Sequence, residues 1–129
     1  AVAESGIRSP VDLRRLAEPS RDALAAGDFV ALGRIMVENT EAQRRLHPDL
    51  VGLDAQRVIH IARAHGAVGW KVNGAGGEGG SLTILASPSA DAKRAMIREI
   101  EAENGLYRHV PTTLSRHGLR TWETSAPAK

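Results

Sequence analysis

The chain has 129 residues, which is enough for one domain of ordinary size and too few for two. Its formal charge is only +2 and 3% of its residues are aromatic, so we expect no nucleic-acid partner. There is no cysteine, which excludes a disulfide framework, a thiolate nucleophile and a cysteine-bound metal. The five histidines lack the spacing of metal ligands, so no protein metal site is predicted. No apolar run reaches the roughly 18 residues of a membrane span, and we expect a cytoplasmic protein without membrane contact.

Helical periodicity dominates the first half of the chain. Pro19, inside the first helical stretch, predicts a kink or a restart at that point. Gly27 and Asp28 are predicted to end this stretch and to begin a second helix, which ends near His47-Pro48. A third helix is predicted to follow with Asp54 as its N-cap.

The second half changes to short β-branched segments on either side of a glycine-rich segment, with a further helix between the later strands. The predicted elements are two strands, a helix and two strands of a closing hairpin, at 68–72, 81–86, 89–103, 107–114 and 118–123. This order predicts an α+β fold over residues 1–129 as a single domain, with an antiparallel sheet and helices packed on one face.

The glycine-rich segment, residues 74–80, contains five glycines, which is more than a hairpin turn requires. Its Gly-x-Gly-x-x-Gly spacing fits a dinucleotide-binding turn, but that turn needs a helix after the loop and a strand is predicted here. A Walker loop is excluded because no Gly-Lys-Ser/Thr follows, and a protein-kinase cover loop lacks the rest of its signature. Two interpretations stay open: a hairpin connection without a ligand, and a loop whose backbone approaches a phosphate, which the glycine density favours.

Residues 69–80, Gly-Trp-Lys-Val-Asn-Gly-Ala-Gly-Gly-Glu-Gly-Gly, resemble the third signature of the GHMP kinases. This family includes galactokinase, homoserine kinase, mevalonate kinase and phosphomevalonate kinase. Residues 32–39 are similar to the family's Leu-Gly-x-Leu-Met helix, and 108–111 and 118–120 to the end of its heptose-phosphate kinase branch. The resemblance runs from about residue 16 to residue 123 and implies the ferredoxin-like, α+β carboxy-terminal domain of a two-domain kinase.

The resemblance implies ATP-dependent phosphorylation of a small metabolite, a sugar or a sugar phosphate, with Mg²⁺. The family's amino-terminal domain carries the loop that wraps the ATP phosphates, and no such segment occurs in this sequence. ATP and substrate are therefore expected to bind together with that missing domain, and the isolated chain is expected to be inactive. The alternative is a ligand-binding or regulatory α+β module that catalyses no reaction. By resemblance, the loop that closes over the phosphate consists of Gly74, Ala75, Gly76, Gly77 and Gly79, with Lys71 at its start.

Two loop positions depart from the family pattern, and two polar residues stand out on the second helix. Glu78 replaces a glycine and would repel a phosphate unless it faces solvent or a metal, and Asn73 replaces a small hydroxyl residue. Positions 32, 36, 39, 43 and 46 form one stripe of the helix, on which the apolar residues are predicted to face inward. Asn39 and Gln43 on that stripe are polar, which indicates buried amides, a stripe that drifts to the surface, or residues that face a substrate cleft.

Overall fold

The computed structural model describes residues 10–74, 77–125 and 127. In this part of the chain, five α-helices precede or follow a two-stranded sheet, and the predicted α+β class is confirmed. None of the described helices is long and apolar enough to cross a membrane. The elements are α1 Val11–Arg15, α2 Ala17–Ala26, α3 Phe29–Leu46, a 3₁₀ helix Pro48–Leu50, α4 Leu53–Ala64, β1 Gly69–Asn73, β2 Ser81–Leu85 and α5 Ala90–Glu103.

Local sequence signals set the boundaries of the first three helices. Gly27 ends α2 in the left-handed conformation at φ 67°, and Asp28 caps α3 by accepting a hydrogen bond from the Ala31 N–H at 2.9 Å. Both were predicted from the sequence. The predicted restart falls at Leu16, where α1 ends. Pro19 itself lies in the first turn of α2, where its missing N–H breaks no helical hydrogen bond.

The N-cap of α4 lies two residues before the predicted one. Gly52 is this N-cap. Asp54 lies in the first turn, where its negative charge interacts favourably with the positive end of the helix dipole. The Asp54 carboxylate accepts a hydrogen bond from the Tyr107 hydroxyl at 2.5 Å. This bond is the main cause that raises the pKa of Tyr107 above its ordinary value. It also ties the segment after α5 to α4.

The sheet is a β1–β2 hairpin with one apolar and one polar face. The strands pair antiparallel from Gly69 opposite Leu85 to Asn73 opposite Ser81. Because side chains alternate along a strand, Trp70, Val72 and Leu82 share one face and pack on Val51 and on Ala55 and Ile59 of α4. A two-stranded hairpin is only marginally stable alone, so packing on the helices is needed to stabilise it.

Helix α3, the second of the helices predicted from the sequence, lies against β1 at a distance set by two glycines. A Cβ added to Gly69 would lie 2.8 Å from the carbonyl carbon of Gly33, which is closer than packed atoms tolerate. Further along, the fully buried Thr40 places its hydroxyl 3.2 Å from the carbonyl oxygen of Trp70. Glycine at positions 33 and 69 and the small Thr40 permit the close contact between α3 and β1, which bulky side chains would prevent.

The predicted inward stripe of α3 is therefore only partly correct. The buried residues of α3 are Gly33, Thr40, Ala42 and Gln43. Leu32, Met36, Asn39 and Leu46, which belong to the predicted stripe, are half-buried. The helix is turned so that small and polar residues contact the β1 backbone, because large apolar side chains would keep the two backbones apart.

The predicted closing hairpin at 107–114 and 118–123 is wrong. The structure assigns no strand to the described residues after α5, and all of 108–125 is exposed. Leu114 and Trp122 are 95% and 80% exposed. Their residue types favour strands, but strand preference is realised only where a neighbouring strand and a packed face are present.

Candidate functional site

Residues 74–80, here called the glycine loop, join β1 to β2 and are exposed where they are described. The φ angles of four loop glycines, Gly74, Gly77, Gly79 and Gly80, are 66°, 47°, 127° and 93°. Residues with a Cβ rarely adopt such values, so the backbone itself requires glycine. A Cβ at 74, 77 or 79 would meet no atom within 4 Å, which leaves open space beside the loop. The predicted members Ala75 and Gly76 lie outside the described residues.

Lys71 lies on the polar face of β1, two residues before the last residue of that strand. Its side chain is half-buried, and its ammonium group donates to the Val72 carbonyl at 3.1 Å. None of the ion pairs in the described part of the chain involves it. A positive charge near the start of the glycine loop is therefore not neutralised by a carboxylate of the described residues.

Asn73 connects the strands at the base of the glycine loop. Its side-chain Nδ2 lies 2.9 Å from the Thr83 hydroxyl and 3.2 Å from the Ser81 hydroxyl. A small hydroxyl residue, which the family pattern has at this position, would be too short to reach across to both. Asn73, which departs from the family pattern, therefore adds side-chain hydrogen bonds between β1 and β2 at the base of the glycine loop.

Gln43 of α3 contacts the loop from inside the domain. It is only 7% exposed, and its Nε2 donates to the Gly74 carbonyl at 3.0 Å. Its Oε1 is buried and has no hydrogen-bond partner among the described residues. Asn39, one turn earlier, is half-buried. Contact of either residue with a substrate stays a prediction.

The far side of the glycine loop rests on the start of α4. A Cβ added to Gly52 would lie 2.5 Å from the Gly77 carbonyl oxygen. Gly52 is the N-cap of α4, and no side chain caps that helix. Sequence reasoning missed this contact, although a glycine at a helix start, where Ser or Asp is commoner, is a usable signal.

Glu78, the second departure from the family pattern, is exposed to solvent. Water screens an exposed carboxylate, so its repulsion of a nearby phosphate is weaker than for a buried charge.

Within the described residues, no group of three or more histidine and acidic side chains is arranged to hold a metal ion.

These features define an α+β domain. Its glycine loop presents backbone and no side chain at the glycine positions, and it is supported by α3 on one side and by the start of α4 on the other. Residues 20–103, which include the whole loop, match the family model described as GHMP kinases C terminal. Because the match covers more than half of the chain, the chain belongs to this family, and the resemblance to the GHMP kinases is confirmed over residues 20–103. A search of curated proteins found no match.

Proposed function

We propose that this chain is the carboxy-terminal domain of an ATP-dependent kinase that phosphorylates a hydroxyl group of a sugar or sugar phosphate in the cytoplasm. Family membership supports the kinase class. The observation that carries the site is the glycine loop, because it combines positive φ angles, open space and support on two sides. Such a backbone can bring several N–H groups to one anion.

Phosphoryl transfer depends on positioning and on charge neutralisation, and the residues described here supply part of each. The loop backbone would contact a phosphate group, and Lys71 would add a positive charge near the start of the loop. Gln43 and Gly52 would keep the loop in place, and Asn39 would border the acceptor. The remaining contacts to ATP belong to the companion ATP-loop domain that the family resemblance implies. Mg²⁺, bound with the ATP phosphates, would neutralise further charge.

A coupled ADP-release assay tests this function directly. The protein is this domain joined to its ATP-loop domain, and the acceptors are a panel of sugars and sugar phosphates. We expect acceptor-dependent ADP release with the joined protein and none with the 129-residue chain alone. Binding of Mg²⁺·ATP without acceptor-dependent release across the panel would instead favour the regulatory module.

Glu78→Gly is expected to tighten Mg²⁺·ATP binding to the joined protein about two- to fivefold, the effect typical of one exposed charge. The physical reason is the loss of like-charge repulsion, and the gain should shrink as salt is added. Calorimetric titration at two ionic strengths measures it, with the exposed Glu103→Gly of α5 as control. Weaker binding in the Glu78 variant would show that the carboxylate assists binding, for example by contacting Mg²⁺.

A further inference from the structure

A buried side-chain amide holds the first carbonyl of the glycine loop. Gln43 Nε2 lies 3.0 Å from the Gly74 carbonyl oxygen, and Gln43 is 7% exposed whereas Gly74 is exposed. The bond joins residues 31 positions apart, so it fixes the loop relative to α3 and not merely to its own strand. No other hydrogen bond from α3 to the glycine loop occurs among the described residues.

Fixing this carbonyl also fixes the conformation in which the chain leaves β1. The Gly74 carbonyl is directed at α3 by its bond to Gln43, so Gly74 begins the glycine loop in one backbone orientation. The positive φ of Gly74, 66°, is the backbone turn that allows the chain to leave β1 in this orientation.

Stability alone does not account for an amide at this position. The Gln43 Oε1 is buried without a partner in the described part of the chain, and an unpaired buried acceptor is unfavourable. A methionine or leucine would fill similar volume without that cost. The amide therefore does more than fill space, because its Nε2 group donates a hydrogen bond to the Gly74 carbonyl.

Thr40 provides the contrast on the same helix. Its hydroxyl approaches the Trp70 carbonyl at 3.2 Å, inside β1, where the strand is already held by pairing with β2. That contact attaches the helix to the sheet. The Gln43 bond lies past the end of β1, where strand pairing has stopped and the loop begins.

We propose that Gln43 is a positioning residue, which holds the start of the glycine loop in the backbone orientation that binds a phosphate group of ATP. Gln43 acts through Gly74 and does not itself contact the nucleotide. This inference rests on the proposed function, since it requires that the glycine loop binds phosphate.

Gln43→Met in the joined protein tests the inference, because methionine keeps the length and removes the donor. We expect the Kd for Mg²⁺·ATP to rise about tenfold, the effect of losing one well-aimed hydrogen bond to a charged group. The Kd for adenosine, which has no phosphate, should stay unchanged, and so should the unfolding midpoint. Calorimetric titration with both ligands measures this difference, and Gln43→Leu repeats it with a second apolar side chain.

Gln56→Met is the matched control. Gln56 Nε2 also donates to a backbone carbonyl at 3.0 Å, that of Val51, which lies outside the glycine loop. This variant loses a bond of the same length and donor type, although at an exposed residue, and should leave both affinities unchanged. Equal weakening of ATP and adenosine by the Gln43 variants would indicate a structural role and overturn the inference.

The inference and the proposed function can fail separately. If Gly77→Val weakens Mg²⁺·ATP binding and the Gln43 variants do not, the loop binds phosphate without help from Gln43, and only the inference is overturned. If neither Gly77→Val nor the Gln43 variants change the affinity, the loop does not contact the phosphates, and the phosphate-binding role proposed for the loop fails together with the inference.

Discussion

Gly33→Ala is expected to lower the free energy of unfolding by about 2 kcal/mol, the cost typical of overpacking a tight contact. The new Cβ would lie 2.7 Å from Val68 Cγ1 and 2.8 Å from the Val68 carbonyl carbon, so α3 would have to move away from Val68, which directly precedes β1. Helix preference alone predicts the opposite sign, because Ala stabilises a helix interior by about 0.5–1 kcal/mol relative to Gly. The sign of the change therefore shows which effect dominates.

Urea unfolding of the 129-residue chain measures this change. Gly105→Ala is the control, because a Cβ there would meet no atom within 4 Å and its φ is not in the left-handed range. We expect the control to unfold within about 0.5 kcal/mol of the unmodified chain, as exposed substitutions usually do. A Gly33→Ala chain more stable than the unmodified one would contradict the close contact between α3 and β1.

Local signals in the sequence predicted the elements that depend on local chemistry. The Gly27-Asp28 pair predicted the end of α2 and the cap of α3, because both effects act within one helical turn. The β1 and β2 segments were predicted from their β-branched residues and from the glycines between them. The closing hairpin was predicted on the same grounds and is absent from the described residues, because residue preference does not supply a pairing partner.

Contacts between distant residues were beyond what a single sequence shows. The proximity of Gly33 to Gly69, and of Gly52 to Gly77, depends on how a helix meets a strand or a loop. Gln43 was singled out because it is polar on an apolar stripe, but its bond to Gly74 follows only from the packing of α3 on β1. Glycine density located the loop, whereas its support came from residues that no local pattern connects to it.

Gly77→Val is expected to reduce acceptor-dependent ADP release by the joined protein about 100-fold, the cost of displacing a reacting group by roughly 1 Å. Gly77 has φ 47°, where a β-branched side chain is strongly disfavoured, so the loop backbone must rearrange. The Gly77 carbonyl would then no longer pack closely against Gly52. The strands and helices on either side should stay folded, because no atom within 4 Å would clash with the added Cβ.

The ratio of ADP-release rates for Gly77→Val and Gly118→Val tests most directly whether the glycine loop acts on phosphate. Gly118 lies in the exposed segment after α5, where an added Cβ meets no atom within 4 Å, so Gly118→Val controls for a new exposed valine. Both proteins are compared at the same folded concentration, with the acceptor from the panel that gives the fastest release. We expect near-normal release with Gly118→Val and about 100-fold slower release with Gly77→Val. Equal rates for the two variants would show that the loop backbone approaches no phosphate and that the glycines serve only the turn between β1 and β2.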